Sequence, residues 1–201
     1  MANLLFKFGT MNCGKSAYLI MEAHSHLSNG ISMLCIKPSI DNRYGSEKIK
    51  SRIGLEFQCT TINDRDNIFN IVCDVNENLI NVGEKQLEYI YCDEAQFLTV
   101  DQVEQLARLV DDLNINVVCY GLKNDFQGHL FAASKRLIEL SDELEEIKHY
   151  CQCGNKAIIN ARLNEYGEII RDGEVIEIGG NERYKPLCRK CYSEFIQTEL
   201  Y

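Results

Sequence analysis

The sequence predicts an α/β fold in which a parallel sheet with flanking helices is followed by a small β-rich module at the C-terminus. Three observations favour this fold. Strand-like and helix-like segments alternate from residue 1 to about residue 145, which is typical of parallel strands joined by crossover helices. A glycine-rich loop separates the first strand from the first helix. Four cysteines form two close pairs near the C-terminus.

The composition restricts the possible classes of protein. A chain of 201 residues with 45% hydrophobic side chains can form one domain of ordinary size and a small appendage. Its formal net charge of −9 argues against a nucleic-acid-binding surface, because such surfaces cluster Lys and Arg. No apolar run approaches the roughly 18 residues of a membrane span, and the N-terminus lacks the features of a secretory signal. We expect a cytoplasmic protein without membrane or nucleic-acid partners.

The first part of the chain predicts two strands and one helix. The apolar run LLFKF at residues 4–8 is typical of a strand, and a helix follows at about residues 15–28, before an Asn-Gly pair. A second strand, ISMLCIKP, spans residues 31–38 and ends in proline. Residues 39–56 are polar and show no period, so we expect a mobile loop there.

The middle of the chain continues the alternation of helices and strands. Residues 63–80 have the pattern of a helix, and residues 87–92 that of a buried strand. Thr99 and Gln102 form a capping box before a helix with regularly spaced apolar residues. The run INVVCYGL at residues 115–122 predicts the next strand.

The pattern changes after the last predicted helix of this region. That helix runs into SDELEEIKH at residues 141–149, which we interpret as an acidic, solvated face. Short strand-like runs follow at residues 157–163 and 174–180, separated by turn sequences. We therefore predict an α/β domain at residues 1–145 and a β-rich lid domain at residues 146–201.

The two cysteine pairs have the spacing of a zinc site. Four thiolates can close a tetrahedral structural site, and the four candidates are Cys151, Cys153, Cys188 and Cys191. Because the first pair is Cys-x-Cys rather than Cys-x-x-Cys, unpaired thiols remain an alternative. His149 is not included, since a lone histidine beside such a pair is more often exposed. The remaining cysteines read as reduced thiols: Cys13, Cys35, Cys59, Cys73, Cys92 and Cys119.

The strongest single motif is GTMNCGKS at residues 9–16, which fits the P-loop pattern and lies between a predicted strand and helix. Its backbone N–H groups can cradle the phosphates of ATP, Lys15 can reach the β and γ oxygens, and Ser16 can hold Mg²⁺. The alternative is a chance glycine-rich turn. The predicted ATP-binding residues are Gly9, Thr10, Met11, Asn12, Cys13, Gly14, Lys15 and Ser16.

A second motif, YIYCDEAQF, ends a strand in two carboxylates. Asp93 is the candidate for a Walker B ligand of Mg²⁺, and Glu94 is the candidate for a base that activates either water or a substrate hydroxyl. A helicase would need a second lobe for which the chain has no room. A small-molecule kinase needs aromatic surfaces and a lid, which Phe97, Phe126, Phe131 and the C-terminal module can supply. Taken alone, each aromatic residue could instead pack in the core, an alternative we favour for Phe131. The residues by themselves therefore predict a P-loop kinase of unknown acceptor.

Six motifs together resemble the type II, or cellular-type, thymidine kinases. They match the order and spacing of that family over nearly the whole chain, and the SRIG stretch at 51–54 with the Cys-x-Cys pair is most similar to enterobacterial and bacteriophage members. The motifs are GTMNCGKS, KPSIDNRY, DEAQF, GLKNDFQGHLF, CQCG and IGGNERYKPLCRKC.

The resemblance implies an activity, cofactors and regulation. The enzyme would transfer the γ-phosphate of ATP, with Mg²⁺, to the 5′-hydroxyl of thymidine and of deoxyuridine, giving dTMP in nucleotide salvage. The zinc would be structural. The family also implies a homotetramer and feedback inhibition by dTTP.

The resemblance also implies roles for individual residues. Glu94 would be the base for the hydroxyl, with Lys15 and Arg43 near the transferring phosphate and Asp41 in the same Asp-x-Arg motif. Phe126 would stack on thymine, and Tyr184 would lie at the sugar on a lasso-like loop whose backbone grips the base. The residues expected to line the base pocket are Met11, Phe97, Leu122 and Phe131.

Two positions depart from the wider family. Asn160 stands where many members carry threonine near the thymine methyl, which would loosen discrimination between thymidine and deoxyuridine. Glu177 stands where a member can carry valine, and this matters little if the contact there is through the backbone. Both are predicted substrate-binding residues.

Two other classes of protein remain open. One is a nucleotide-switched regulatory protein, which would hydrolyse ATP slowly and without regard to nucleosides. The other is a zinc-ribbon nucleic-acid binder with an incidental P-loop, which would bind single strands in a salt-dependent way.

Overall fold

The structure is a computed structural model that describes residues 1–40, 47–175 and 183–198. A six-stranded sheet forms its centre, and every neighbouring pair of strands in that sheet is parallel. The strand order is β5-β2-β6-β7-β1-β8. The strands are β1 (Leu4–Phe8), β2 (Met33–Pro38), β5 (Thr60–Ile62), β6 (Tyr89–Cys92), β7 (Asn116–Gly121) and β8 (Glu143–Glu146).

Helices link these strands and cover the sheet. They are α1 (Lys15–Ser28), α2 (Ile68–Asn81), α3 (Val100–Leu113) and α4 (Ala132–Leu140). The predicted capping box of α3 is confirmed, because the Thr99 hydroxyl accepts from the Gln102 N–H and the Gln102 side chain accepts from the Thr99 N–H. Within the described ranges, no helix is both long and apolar enough to cross a membrane.

The core lies on both faces of the sheet because successive residues of a strand point to opposite sides. In β6, Ile90 belongs to the cluster packed under α2, α3 and α4, whereas Tyr91 belongs to the cluster under α1. Leu19 and Ile20 of α1 are completely buried in the second cluster. Because the central strands are buried on both faces, their sequences are continuous apolar runs.

The C-terminal module has its own antiparallel sheet and core. Its strands are β9 (Ile159–Leu163), β10 (Ile169–Ile170) and β11 (Tyr184–Leu187), in the order β10-β9-β11. A helix, α5 (Arg189–Thr198), follows. Ala161 and Leu187 are fully buried in the core of this module. The α/β fold class predicted from the sequence is confirmed, whereas the domain boundary between residues 145 and 146 stays a prediction.

Two local predictions were wrong, and one helix was not predicted. Residues 39–56 do not form one irregular loop, because β3 (Lys48–Lys50) and β4 (Glu56–Gln58) pair as an antiparallel hairpin, although residues 41–46 of this stretch lie outside the described residues. The helix predicted at 63–80 begins at Ile68, after the short strand β5. The helix C-terminal to β11 was not predicted.

The acidic stretch after α4 was also misread as part of a helix. Glu143–Glu146 forms β8, an edge strand that pairs in parallel with β1 through backbone hydrogen bonds. Its charged side chains are solvated, as expected, and Glu145 lies 3.4 Å from the ammonium group of Lys7 on β1. Charged side chains on an edge strand discourage pairing with other chains, so the acidic pattern suits this strand.

Candidate active site

The carboxyl ends of the parallel strands border a cavity with a volume of about 240 Å³. Its wall comes from the segments that follow β1, β2, β6 and β7, from the β3–β4 hairpin and from the C-terminal module. Thirteen of the described residues singled out in the sequence border it: Met11, Asn12, Gly14, Lys15, Ser16, Asp93, Glu94, Phe97, Leu122, Phe126, Phe131, Asn160 and Tyr184. Open parallel sheets bind ligands at this edge.

The loop after β1 has the compact backbone of a phosphate-binding turn. Gly14, with φ of 90°, adopts a left-handed conformation immediately before α1. At Gly9 a Cβ atom would lie 2.6 Å from the carbonyl oxygen of Ile147, so only glycine fits there. The ammonium group of Lys15 is buried and donates to the carbonyl oxygen of Thr10 at 2.9 Å. The loop thus presents α1's N-terminus and a lysine at the cavity.

Asp93 follows β6 directly and is 4% exposed. Its backbone N–H donates to the carbonyl oxygen of Ile36, which continues the β2–β6 ladder and fixes the position of the carboxylate. Burial, and then the neighbouring charge of Glu94, raise the pKa of Asp93, while hydrogen bonds from the Ser16 hydroxyl and the Glu94 N–H oppose that rise. A buried carboxylate next to a second acid favours a cation at this point.

Glu94 has an unusual backbone conformation. Its φ of 50° and ψ of 39° lie in the left-handed region, which is uncommon for residues other than glycine. The conformation turns the chain sharply out of β6 into the short 3₁₀ turn Ala95–Phe97, and the side chain of Glu94 borders the cavity. Strain of this kind is often found where a side chain must be presented at a functional site.

Aromatic residues form another part of the wall. The rings of Phe97 and Phe131 meet edge to face, with centroids 6.0 Å apart and an interplanar angle of 81°. Phe131 is only half-buried and borders the cavity, so the core-packing alternative favoured for it from the sequence is not supported. Phe126 is 2% exposed. Flat apolar surfaces of this kind suit a planar ring ligand.

The C-terminal module reaches the cavity through Asn160 and Tyr184, which lie on the adjacent strands β9 and β11. The carbonyl oxygen of the Asn160 side chain accepts a hydrogen bond from the Met11 N–H at 2.7 Å. Asn160 therefore connects the module directly to the phosphate-binding loop, a contact that the sequence did not suggest. Asp41, Arg43 and Glu177 lie outside the described residues, as do the other residues from 176 to 182.

The four paired cysteines come together as predicted. Their sulfur atoms all lie within 4.8 Å of one another, and those of Cys153 and Cys188 are 3.6 Å apart. Neighbouring sulfurs around a tetrahedral zinc ion with bonds of about 2.3 Å are about 3.8 Å apart. The cluster therefore fits a structural zinc ion.

A family model described as thymidine kinase matches residues 2–192. The chain belongs to the thymidine kinase family. The thymidine kinase of Rhodopirellula baltica is 46% identical over 98% of this chain and 90% of its own length. That of Shewanella oneidensis is 41% identical over 98% and 99%, and that of Mannheimia succiniciproducens is 44% identical over 94% of each. The family resemblance seen in the sequence is confirmed.

One solved structure, the Pif1 helicase from Candida albicans, overlaps 77% of this chain and 38% of its own, with a TM-score of 0.44 at 15% identity. A likeness this weak carries no argument about the activity of a thymidine kinase family member.

Two residues that border this thymidine kinase family site were not predicted from the sequence. Lys37, at the end of β2, is 2% exposed, borders the cavity and donates to the carbonyl oxygen of Lys48, which ties the β3–β4 hairpin to the sheet. Gln96, beside Glu94, is 3% exposed and also borders the cavity. Lys37 could have been found from the sequence because it is a lysine at the end of an apolar strand. Gln96 could have been found only from its position next to the two acids.

Proposed function

We propose that the protein is an ATP-dependent thymidine kinase that phosphorylates the 5′-hydroxyl of thymidine, and also of deoxyuridine, to give the monophosphate for nucleotide salvage. Membership of the thymidine kinase family over nearly the whole chain carries this proposal. The geometry supports it, because a P-loop, two adjacent carboxylates and a group of aromatic rings face one cavity. A phosphate donor and a planar nucleobase can therefore bind within reach of each other.

The phosphate-binding part would use the loop at residues 9–16. Its backbone N–H groups and the N-terminus of α1 would hold the phosphates of ATP, and Lys15 would exchange its bond to Thr10 for the β and γ oxygens. Ser16 and Asp93 would hold Mg²⁺, since their hydroxyl and carboxylate oxygens are already hydrogen-bonded to each other and suit a hard cation. The ion would neutralise charge on the transferring phosphate.

Glu94 would act as the general base. Its carboxylate accepts the proton of the 5′-hydroxyl as that oxygen forms its bond to the γ-phosphorus, and the bond from phosphorus to ADP breaks. Arg43 would stabilise the charge on the transferring phosphate, and Asp41 would contribute to substrate binding; both roles rest on the family resemblance. The strained backbone of Glu94, which orients the side chain towards the cavity, supports its role.

The nucleobase would lie between the aromatic residues and the C-terminal module. Phe126 would stack on thymine, and Tyr184 would contact the sugar. The backbone of the lasso-like loop, including Glu177, would hydrogen-bond the base, while Asn160 would approach its methyl group. The side chains proposed to complete the pocket are Met11, Phe97, Leu122 and Phe131.

The remaining proposals concern the setting of the reaction. A zinc ion held by the cysteine cluster would stabilise the C-terminal module and so the strands that carry Asn160 and Tyr184. A homotetramer and feedback inhibition by dTTP are proposed from the family resemblance, and a cytoplasmic location is proposed from the sequence.

A coupled ATP assay over a panel of nucleosides tests the proposed function. We expect ADP formation that depends on thymidine, with deoxyuridine as a second substrate. ATP hydrolysis that is slow and equal with and without nucleosides would instead indicate a nucleotide-switched regulator. A salt-dependent shift of single-stranded oligonucleotides, with no nucleoside phosphorylation, would indicate a nucleic-acid binder.

A further inference from the structure

The buried amide of Gln96 connects the end of strand β7 to the carboxylate of Glu94. Its Nε2 atom lies 2.6 Å from Oε2 of Glu94, and its Oε1 atom accepts from the Leu122 N–H at 2.8 Å. Leu122 is the first residue after β7, which is adjacent to β6 in the sheet. One side chain therefore joins Glu94 to the rigid centre of the fold.

The orientation of this amide is determined by its surroundings. A backbone N–H can only donate, so the atom of Gln96 that faces Leu122 must be the oxygen. The NH₂ group must then point at Glu94, where an ionised carboxylate is an acceptor only. Hydrogen bonds to a charged acceptor are stronger than those between neutral groups. The opposite orientation of the amide would place like groups against each other at both ends.

The backbone at Gly121 leaves just enough space for the Gln96 side chain. A Cβ atom at Gly121 would lie 2.9 Å from Oε1 and 3.2 Å from the backbone nitrogen of Gln96. Glycine at the end of β7 thus allows the Gln96 amide to approach the sheet closely. Gln96 is 3% exposed, so water does not compete effectively for its hydrogen bonds.

We propose that Gln96 is a positioning residue that holds one oxygen of the Glu94 carboxylate, and thereby orients the group for removing the proton of the acceptor hydroxyl. The proposal rests on the proposed function of Glu94. A glutamate side chain has three rotatable bonds, and the torsion angle of the last one, χ3, has a broad distribution. A fixed donor on one oxygen selects one orientation of the carboxylate plane, and a general base needs that geometry to be correct.

Two substitutions separate a positioning role from a merely structural one. Gln96→Met keeps the size of the side chain and removes both hydrogen bonds. Gln96→Glu keeps an oxygen for the Leu122 N–H but presents a second acceptor to Glu94 in place of the donor. If Gln96 positions the base, Gln96→Glu should lower kcat at least as much as Gln96→Met. The assay should be run in mildly alkaline buffer, so that the introduced carboxyl group is ionised and cannot donate a hydrogen bond to Glu94. If Gln96 only secures the end of β7, Glu should be the milder change.

We expect both variants to lower kcat for thymidine by about 10- to 100-fold, because misplacing a catalytic group by about 1 Å can cost about 100-fold. The KM values for thymidine and ATP should change by less than about threefold, since Gln96 is not proposed to bind either. In a Glu94→Gln background the Met substitution should cause no further loss, because there is then no base to position. An independent loss in that background, or a kcat within about threefold of wild type for the Glu variant, would overturn the proposal.

Gln102 provides a matched control. It is 2% exposed, and its amide donates to the carbonyl oxygens of Asn63 and Asp66, away from the cavity. Gln102→Met should lower the melting temperature and leave kcat unchanged. If Gln96→Met does not fold, the kcat of Gln96→Glu alone tests the proposal, because that variant keeps the hydrogen bond from the Leu122 N–H. Absence of thymidine phosphorylation by the wild type would refute the proposed function, whereas an active wild type with active Gln96 variants would refute only the role of Gln96.

Discussion

The guanidinium carbon of Arg162 lies 3.9 Å from the centroid of the Phe126 ring. Arg162 belongs to β9 of the C-terminal module, whereas Phe126 follows β7 of the large sheet and borders the cavity, so this contact joins the two parts of the structure beside the cavity. Both residues are almost completely buried. Arg162 also donates to the carbonyl oxygen of Glu174 at 2.8 Å, which fixes the plane of its guanidinium group. One face of the Phe126 ring is therefore held by the C-terminal module.

Replacing Arg162 with Met should weaken binding of the nucleoside. The substitution keeps much of the apolar contact but removes the cation over the ring, which is worth about 0.5 to 1 kcal/mol at exposed sites and about 2 kcal/mol when desolvated. If Phe126 stacks on the nucleobase, KM for thymidine should rise by about 2- to 30-fold while KM for ATP stays unchanged. Steady-state kinetics with each substrate varied in turn measure this difference.

A second cation–ring pair serves as the control for that experiment. Arg108 lies over Phe69 at 4.3 Å, on the helices that cover the far side of the sheet from α1. Arg108→Met should change neither KM. Equal effects of the two substitutions, or a rise in KM for ATP alone, would contradict a role for Arg162 in nucleoside binding.

Replacing Glu94 with Gln should separate binding from turnover. The amide keeps the shape of the side chain but cannot accept the proton, so kcat should fall by about 10²- to 10⁴-fold, the range assigned to general-base catalysis. Calorimetry should show that thymidine still binds. Glu77→Gln, a change of the same kind at an exposed position on α2, should be fully active. A Glu94 variant within a few-fold of wild type would exclude Glu94 as the base.

Replacing Cys188 with Ser should loosen the C-terminal module. Cys188 is 6% exposed and belongs to the four-cysteine cluster, and a structural zinc ion supplies much of the folding free energy of a small module. We expect loss of bound zinc, a lower melting temperature and a higher KM for thymidine. Cys73→Ser on α2, a half-buried cysteine outside the cluster, is the control. Metal analysis that finds far less than one zinc per chain in active wild-type protein would refute the structural role.

The sequence predicted those parts of the fold that depend on local pattern. The central strands are buried on both faces and therefore read as apolar runs, and the capping box of α3 is encoded by Thr99 and Gln102 alone. The β3–β4 hairpin was missed because each strand has three residues and, on β3, only Ile49 is buried. Ile49 lies opposite Phe57, and Glu56 forms ion pairs with Lys48 and Lys50, but an alternation of three residues is too short to stand out in the sequence.

Contacts between distant residues could not be predicted in the same way. The bond from the Leu122 N–H to Gln96 spans 26 residues, and that from the Met11 N–H to Asn160 spans 149. No local sequence pattern indicates either contact, because the contacts depend on the order of the strands and the placement of the C-terminal module. The motifs thus indicated many of the residues that face the cavity, whereas the contacts that hold those residues in place became visible only in the fold.

The hydrogen-bonding pattern of the nucleobase should decide which nucleosides are phosphorylated. Thymine presents an N3–H donor between two carbonyl acceptors, whereas cytosine presents a bare N3 acceptor and an amino donor. Backbone groups that pair with the first pattern would face like groups in the second, and such buried mismatches can produce discrimination on the order of 10⁴. Deoxycytidine should therefore be rejected strongly if the loop before Tyr184 reads the base through its backbone.

Deoxyuridine should be discriminated against much more weakly, because a single methyl group is worth about 10- to 200-fold. The carbonyl oxygen of the Asn160 side chain already accepts from the Met11 N–H, so this residue is held against the phosphate-binding loop and is not free to adapt its packing to the methyl group. We expect discrimination between thymidine and deoxyuridine at the low end of that range. Values of kcat/KM for the three nucleosides measure the order directly, and a value for deoxycytidine near that for thymidine would rule out reading of the base by the backbone.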